Sequence, residues 1–367
     1  MHRRRVLIVD DSVVIRRSLA NALARNSSLE VVGSASSGRV ALMKIPLLHP
    51  DVVALDVEMP EMDGLEALAA IRNLYPLLAV IMLGEPTDRG AALTLEALTL
   101  GAKDFVTKPD TAANSNHKPQ SLGDDLASKI VMHCPDATQE QSIPNSLSLT
   151  SRGGASLGGA VRCAAQRVDV VAIGVSTGGP NALMGLLPRF PADFPVPILI
   201  VQHMPPMFTR LLAERLAAKC KIRVAEASMH QTVLPGEAWI APGTLHMVVE
   251  LEDEVVRIRT HQDPPENFCR PSVDVLFRSV AKVYGSHALA IVMTGMGQDG
   301  FRGCEQIHEA GGQIVVQDEA TSVVWGMPSL IVKAGIADQI LPLNDLGAEI
   351  MDRVWRFRSE TRALVGG

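Results

Sequence analysis

Val170-Val-Ala-Ile-Gly-Val-Ser-Thr-Gly-Gly-Pro180 decides the fold of the C-terminal half of this chain. Its first six residues form a short apolar run typical of a buried strand, and its glycines and proline indicate a tight turn into a helix. Two further runs share this pattern: Ile198–Gln202 ends before His203, and the run from Ala288 leads to Asp299. Residues at the carboxyl ends of parallel strands share one crevice, so a serine, a histidine and an aspartate are expected to meet there. These are the three groups of acyl-transfer catalysis, and they predict a serine hydrolase.

Length and composition limit the number of domains and the kind of partner. A chain of 367 residues is long enough for two domains, and 47% hydrophobic with 20% charged residues indicates that most of it folds. The net charge of −6 and pI near 5.9 argue against nucleic acid as a partner and favour a protein or a small molecule.

The cysteines and the N-terminus bear on location. Five scattered cysteines without a C-x-x-C pair suit a reducing compartment and are interpreted as packing or incidental thiols: Cys134, Cys163, Cys220, Cys269 and Cys304. The basic start at His2 runs into an apolar stretch too short for a signal peptide, and no apolar run reaches the roughly 18 residues of a membrane span. We therefore expect a cytoplasmic protein without direct membrane insertion.

Alternating apolar runs and amphipathic stretches predict the domain organisation. Residues 1–132 read as a doubly wound domain with five parallel strands, and residues 169–360 as a second α/β domain. The strands of the first domain are predicted at Val6–Val9, Leu29–Gly33, Val52–Leu55, Ala79–Leu83 and Asp104–Val106. Between the domains, residues 133–168 are rich in Ser, Gly, Gln, Asn, Thr and Pro, which predicts a flexible linker.

Charged residues gather at the strand ends of the first domain. Asp10 and Asp11 close the first strand, Asp56 closes the third, and Lys108 follows the fifth. Two or three carboxylates at one sheet edge suit Mg²⁺, and an aspartate beside the metal can accept a phosphoryl group while the lysine neutralises charge. Each aspartate alone could equally cap a loop.

Several motifs resemble known families. The sequence resembles the receiver domain of bacterial response regulators at Val9–Asp11, Leu55–Leu65 and Phe105–Pro109. It resembles the chemotaxis protein-glutamate methylesterase family at Ile173–Pro180, Val201–Pro205, Arg270–Asp274 and Met293–Gly300. The resemblance covers nearly the whole chain except the linker. It implies a flavodoxin-like receiver followed by a Rossmann-like three-layer α/β methylesterase domain.

The resemblance also implies an activity. Members hydrolyse methyl esters on glutamates of chemoreceptors, releasing methanol, and deamidate certain receptor glutamines. The implied partners are methylated chemoreceptors and a histidine kinase as phosphodonor. At rest, the receiver is expected to pack over the crevice that contains Ser176.

Roles of individual residues follow from the same resemblance. Ser176 is the expected nucleophile, His203 its general base and then acid, and Asp299 the carboxylate that orients the imidazolium. The backbone amide of Met296 is expected to help bind the oxyanion, and the Thr177 side chain to support His203.

In the receiver, Asp56 is the expected phosphorylation site, with Asp10, Asp11 and Lys108 around it. The expected Mg²⁺ ligands are Asp11, Asp56 and the Glu58 backbone carbonyl. No cofactor is expected in the second domain, where no His/Cys/Asp cluster stands at metal-ligand spacing in the sequence.

Two rival functions remain open at this point. Gly295-Met-Gly-Gln-Asp-Gly300 has the G-x-G-x-x-G spacing of a dinucleotide-binding oxidoreductase, although Asp299 would bring negative charge to the pyrophosphate. A non-catalytic two-component regulator is the other alternative. A nucleoside-triphosphate loop at Gly174–Gly179 is disfavoured because Pro180 stands where that motif needs lysine.

One receiver position departs from the family pattern. Gly84 follows the fourth strand where the family has a Ser or Thr hydroxyl, whereas Phe105 keeps the aromatic switch position. We therefore expect weak coupling between phosphorylation of Asp56 and the esterase.

Overall fold

A five-stranded parallel sheet forms the core of the first domain. The computed structural model describes residues 3–109, 119–134 and 166–365. The first sheet has the order β2-β1-β3-β4-β5. Its strands are β1 (Arg4–Val9), β2 (Leu29–Ala35), β3 (Val52–Asp56), β4 (Ala79–Gly84) and β5 (Asp104–Thr107). Its helices are α1 (Val13–Leu23), α2 (Gly38–Leu48), α3 (Gly64–Leu74), α4 (Asp88–Thr99) and α5 (Pro119–His133).

Local sequence explains these elements. Every residue of β3 and β4 is buried, which is why both strands are continuous apolar runs rather than alternating ones. The helix α3 begins with a capping box in which the Asp63 side chain accepts from Glu66 N and the Glu66 side chain accepts from Asp63 N. Because the chain leaves β1 and β3 in opposite directions across the sheet, Asp10, Asp11 and Asp56 lie at a topological switch point.

The second domain contains a seven-stranded parallel sheet in the order β14-β13-β12-β6-β7-β9-β8. These strands are β6 (Val170–Val175), β7 (Ile198–Gln202), β8 (Arg223–Glu226), β9 (Glu237–Ile240), β12 (Ala288–Val292), β13 (Gln313–Gln317) and β14 (Gln339–Leu341). The helices are α6 (Gly179–Leu186), α7 (Pro206–Ala217), α8 (Val273–Tyr284), α9 (Phe301–Glu309), α10 (Met327–Lys333) and α11 (Leu343–Val365). Neighbours β6 and β12 form the switch point of this sheet, so the loops after them border one crevice.

An antiparallel hairpin in the second domain is absent from the predicted elements. It joins β10 (His246–Glu252) to β11 (Val255–His261) through Asp253 and Glu254, which both have positive φ. A two-residue turn with two left-handed residues matches the twist of paired strands. The hairpin is tied to α8 where Ser279 Oγ accepts from Val249 N at 3.0 Å.

The two domains contact each other through their helices and one aromatic pair. Phe105 at the end of the first sheet stacks on Phe208 of α7, with ring centroids 4.6 Å apart. Asn181 Nδ2 donates to Leu98 O at 2.9 Å, and Arg215 donates to Ala92 O at 2.9 Å. The receiver thus covers the side of the second domain on which α6 and α7 lie.

The predicted fold class, two doubly wound α/β domains, is confirmed. The domain limits at 132 and 169 stay predictions, and most of the predicted linker, residues 135–165, lies outside the described residues. In the described ranges, none of the helices is both long enough and apolar enough to cross a bilayer.

Candidate active site and receiver acid cluster

Ser176 stands directly after β6, at a sharp turn into α6. Its backbone N donates to Thr294 O at 3.0 Å, and Gly179 N donates to Ser176 O at 2.8 Å. Gly178 has a φ of +79°, and a Cβ on Gly179 would lie 1.9 Å from Gln202 Oε1. The turn therefore needs these glycines, since side chains there would strain the backbone or collide with Gln202. It presents the Ser176 hydroxyl at the helix N-terminus.

His203 and Asp299 form a close pair although they are 96 residues apart. His203 Nε2 lies 2.8 Å from Asp299 Oδ2, and both side chains are largely buried. The backbone holds His203 in place because its N donates to Val175 O at 3.2 Å, one residue before Ser176. Among the described residues no hydrogen bond joins the Ser176 hydroxyl to His203, but both residues line the same cavity.

The Asp299 carboxylate is held by a dense set of donors at the N-terminus of α8. Oδ2 accepts from Val273 N at 2.7 Å, in addition to His203. Oδ1 accepts from Ser272 Oγ at 2.7 Å, Asn267 Nδ2 at 3.0 Å and Asp274 N at 3.1 Å. Burial raises the pKa of Asp299, but these donors and the imidazole outweigh it and lower the pKa to about 2. Asp299 therefore stays ionised at neutral pH.

The same pair sets the protonation of His203. Burial acts to lower the pKa of His203, but the hydrogen bond to Asp299 and the contact with Cys269 outweigh it, and the pKa rises to about 9. Cys269 Sγ lies 3.7 Å from His203 Nδ1. The imidazole is thus enclosed by a carboxylate at Nε2 and a thiol at Nδ1.

Thr177 and Met296 both line the cavity beside Ser176. The Thr177 carbonyl accepts from Thr294 Oγ1 at 2.9 Å, and this backbone contact ties the Ser176 turn to the loop after β12. A Cβ on Gly326 would lie 3.1 Å from Met296 Cα, so glycine at this position allows the backbone of the loop that contains Met296 to pack closely. Their predicted roles toward His203 and the oxyanion stay predictions.

A cavity of about 750 Å³ lies where the two domains meet. The second domain contributes Ser176, His203 and Met296 to its wall, and the receiver contributes Phe105 and Lys108 among others. The Ser176 crevice therefore opens toward the part of the receiver that contains β5 and Lys108.

The aspartate side chains at the strand ends of the receiver lie close together, as their positions in the sequence predict. Ligand oxygens of Asp10, Asp11 and Asp56 lie within 4.8 Å of one another. Lys108 Nζ lies 2.7 Å from Asp56 Oδ1, 2.9 Å from Asp10 Oδ2 and 2.9 Å from Glu85 Oε1. Burial raises the pKa of Asp56 to about 7 against the opposing effect of Lys108.

The donor set fits a hard divalent cation. Asp10 Oδ2 and Asp56 Oδ1 are buried oxygens that accept no well-aligned hydrogen bond, even though Lys108 Nζ is close to both. A cation that prefers carboxylate oxygens and water would satisfy them. The Glu58 carbonyl stays a predicted ligand.

The space beside Gly84 is already filled. A Cβ on Gly84 would lie 2.5 Å from Thr94 Oγ1, and the Thr94 hydroxyl donates to Gly90 O at 2.7 Å. A Ser or Thr at position 84 would therefore require Thr94 to move.

The fold and the two clusters define a protein of the receiver-linked hydrolase class. The family model described as CheB methylesterase matches residues 171–350, and that of the response regulator receiver domain matches residues 6–115. A protein-glutamate methylesterase/protein-glutamine glutaminase of Trichodesmium erythraeum is 52% identical over 96% of this chain and 100% of its own length. One of Nocardioides sp. is 43% identical over 96% of each chain.

A solved structure agrees with the second domain. The methylesterase catalytic domain of Thermotoga maritima CheB is 37% identical, covers 50% of this chain and 98% of its own, and has a TM-score of 0.50. The chain belongs to the family of protein-glutamate methylesterases/protein-glutamine glutaminases with a receiver domain. The predicted enzyme class is thereby confirmed, and the oxidoreductase and non-catalytic alternatives are set aside.

The residues around the catalytic pair are not among the predicted site residues. Ser272 and Asp274 lie within the Arg270–Asp274 motif and Asn267 lies three residues before it, but the motif alone gives none of them a role. Ser272 caps α8 by accepting from Val275 N, a pattern that a helix-start search could find. The approach of Cys269 to His203 had no local signal, because these residues lie on loops 66 positions apart.

Proposed function

We propose that Ser176, His203 and Asp299 hydrolyse γ-methyl esters of glutamate on chemoreceptors and deamidate receptor glutamines. The observation that carries this proposal is the buried His203–Asp299 pair, whose histidine lines the same cavity as Ser176. Family membership supports the ester substrate, since geometry alone suits many acyl groups.

In the proposed reaction, the Ser176 hydroxyl attacks the ester carbonyl and gives its proton to His203. Because Nε2 is directed to Asp299, Nδ1 is the atom that takes this proton. The backbone amide of Met296 is proposed to stabilise the oxyanion, a contribution typically worth about 10² to 10³ in rate. His203 then protonates the leaving methoxide, methanol departs, and water attacks the acyl-enzyme with His203 as base.

We propose that the receiver controls access to this site. The contact between Phe105 and Phe208 supports the proposal, because Phe105 holds the aromatic switch position and itself lines the cavity. Phe208 lies in α7, whose N-cap residue Pro205 also lines the cavity. Phosphorylation of Asp56 by a histidine kinase would change this contact. A bound Mg²⁺ would neutralise charge on the transferred phosphoryl group, and the acids Asp11 and Asp56 would hold it.

The receptor substrate and the cytoplasmic location stay proposals that rest on the family. A receptor helix that carries methylated glutamates must reach Ser176, and the receiver stands in its way at rest. Entry of the substrate and release of the receiver contact are therefore coupled in this proposal.

Methanol release from methylated chemoreceptor membranes tests the proposal. The full chain and Ser176→Ala are compared, each with and without a phosphoryl donor and Mg²⁺. Release that the Ser176 variant lacks supports the proposal. Release that persists in the variant would remove Ser176 from the reaction. If the full chain releases no methanol, a chain of residues 168–367 is assayed in its place. Absence of release from this shorter chain as well would argue against the esterase assignment itself.

A further inference from the structure

The thiol of Cys269 forms a metal-ligand pair with the imidazole of His203. Cys269 Sγ lies 3.7 Å from His203 Nδ1, and donor atoms of Cys269, His203 and Asp299 all lie within 4.8 Å of one another. Cys269 is partly exposed, so a small ion can reach it. The pair lies within the catalytic cluster, yet the esterase reaction has no use for the thiol.

The loop that carries Cys269 is held in a defined conformation. Glu266 and Cys269 exchange two backbone hydrogen bonds, of 3.1 Å and 2.8 Å. Asn267 and Phe268 between them both have positive φ, and the Asn267 side chain donates to Asp274 and to Asp299. The thiol is therefore positioned by the same network that positions the Asp299 carboxylate.

The distance matches two ligands of one zinc ion. With Zn–S near 2.3 Å and Zn–N near 2.0–2.1 Å in a tetrahedron, the sulfur and the nitrogen are separated by roughly 3.6 Å. The arrangement at the other side of the ring also fits, because a histidine bound to zinc usually donates its second N–H to a carboxylate. Asp299 Oδ2 accepts from Nε2 in this way.

We propose that Cys269 Sγ and His203 Nδ1 form an inhibitory site for Zn²⁺, with water completing the coordination. At neutral pH, binding releases two protons to solvent, one from the thiol and one from Nδ1 of the imidazolium. The metal then occupies the nitrogen lone pair that would accept the Ser176 proton. The esterase stops because its base is occupied. This inhibition rests on the proposed role of His203, whereas the metal site itself does not.

The site is selective against Mg²⁺ because thiolate and imidazole ligands suit zinc and cobalt, while Mg²⁺ prefers oxygen. The receiver acids offer only oxygen ligands. The two sites can therefore be separated by the spectrum of a cobalt ion.

Co²⁺ titration of the full chain in excess Mg²⁺ tests the metal site directly. A thiolate-to-Co²⁺ charge-transfer band is expected in the wild type and in Ser176→Ala. It should be absent in Cys269→Ser and in His203→Gln. Cys220→Ser is the matched control. Cys220 is also a partly buried thiol, but burial raises its pKa to about 11, so it should not form the thiolate that binds the metal.

Zn²⁺ inhibition of methanol release tests the consequence. Each variant is compared with its own uninhibited rate. Cys269→Ser should raise the half-inhibitory Zn²⁺ concentration by at least about tenfold, since loss of even an outer-shell partner of a metal ligand costs 10- to 100-fold in affinity. Cys220→Ser should leave that concentration unchanged.

Two results would overturn the proposal: absence of the charge-transfer band from the wild type, or its survival in Cys269→Ser with native circular dichroism. Cys269→Ala provides a second variant if the serine form fails to fold. Because the band is read without turnover, an inactive wild type that still shows it would count against the esterase and not against the metal site.

Discussion

Replacing Asp299 with Asn tests the catalytic pair most directly. The carboxylate oxygens accept five hydrogen bonds, two at Oδ2 and three at Oδ1. An asparagine must put its NH₂ group at one of these positions, where it faces donors instead of accepting from them. Placing it at the Oδ2 position loses fewer bonds and is the expected arrangement.

This arrangement has two measurable effects. His203 Nε2 would then accept from the amide, so the proton moves to Nδ1 and the ring can no longer receive the Ser176 proton. Presentation of the wrong tautomer reduces kcat by about 10⁴ in a comparable serine-hydrolase triad. Val273 N–H would lose its acceptor, and a buried unsatisfied donor costs about 1–3 kcal/mol of stability.

Methanol release and urea unfolding measure the two effects separately. Asp193→Asn serves as the control, because Asp193 is exposed. A folded Asp299→Asn protein that retains kcat within about tenfold of the wild type would refute the role of Asp299, since the wrong tautomer should cost far more.

Three further predictions concern pH and regulation. First, kcat/KM should rise with pH toward about 9, because His203 must be neutral to act as base and its pKa is raised to about 9. The rate of Ser176→Ala is subtracted as background. A flat profile from pH 6.5 to 9 would contradict this prediction. The ion pair of His203 should accordingly stabilise the fold fully below its ordinary pKa of 6.5 and lose that contribution as pH rises through about 9, which urea unfolding across this range would detect. Second, Arg215→Ala removes a hydrogen bond to Ala92 O across the domain contact and should raise the resting esterase rate several-fold. The control Arg356→Ala alters an exposed ion pair on α11 and should leave the rate unchanged. An equal response of both variants would count against control of the esterase by the domain contact. Third, a phosphoryl mimic at Asp56 should raise the esterase rate by less than about tenfold, or 1.4 kcal/mol, because Gly84 lacks the switch hydroxyl; a larger activation in the methanol assay would refute weak coupling.

Much of the fold could be predicted from local sequence signals. All five strands of the first sheet begin and end within two residues of their predicted limits. Short apolar runs bounded by polar turns are a local signal for strands of this kind. The convergence of Asp10, Asp11, Asp56 and Lys108 followed from the topology of such sheets. The hairpin β10-β11 escaped prediction because Asp253 and Glu254 take left-handed conformations without glycine or asparagine.

By itself, the sequence determined that Ser176 and His203 directly follow strands of one parallel sheet and that Asp299 lies in the loop after a third strand. Periodicity and turn composition are properties of neighbouring residues, so a local pattern encodes them. Only the tertiary structure decided which imidazole nitrogen faces Asp299, that Cys269 faces the other one, and that Phe105 stacks on Phe208. These contacts join residues far apart in the chain. They depend on how loops and helices pack together, and no local pattern encodes that packing.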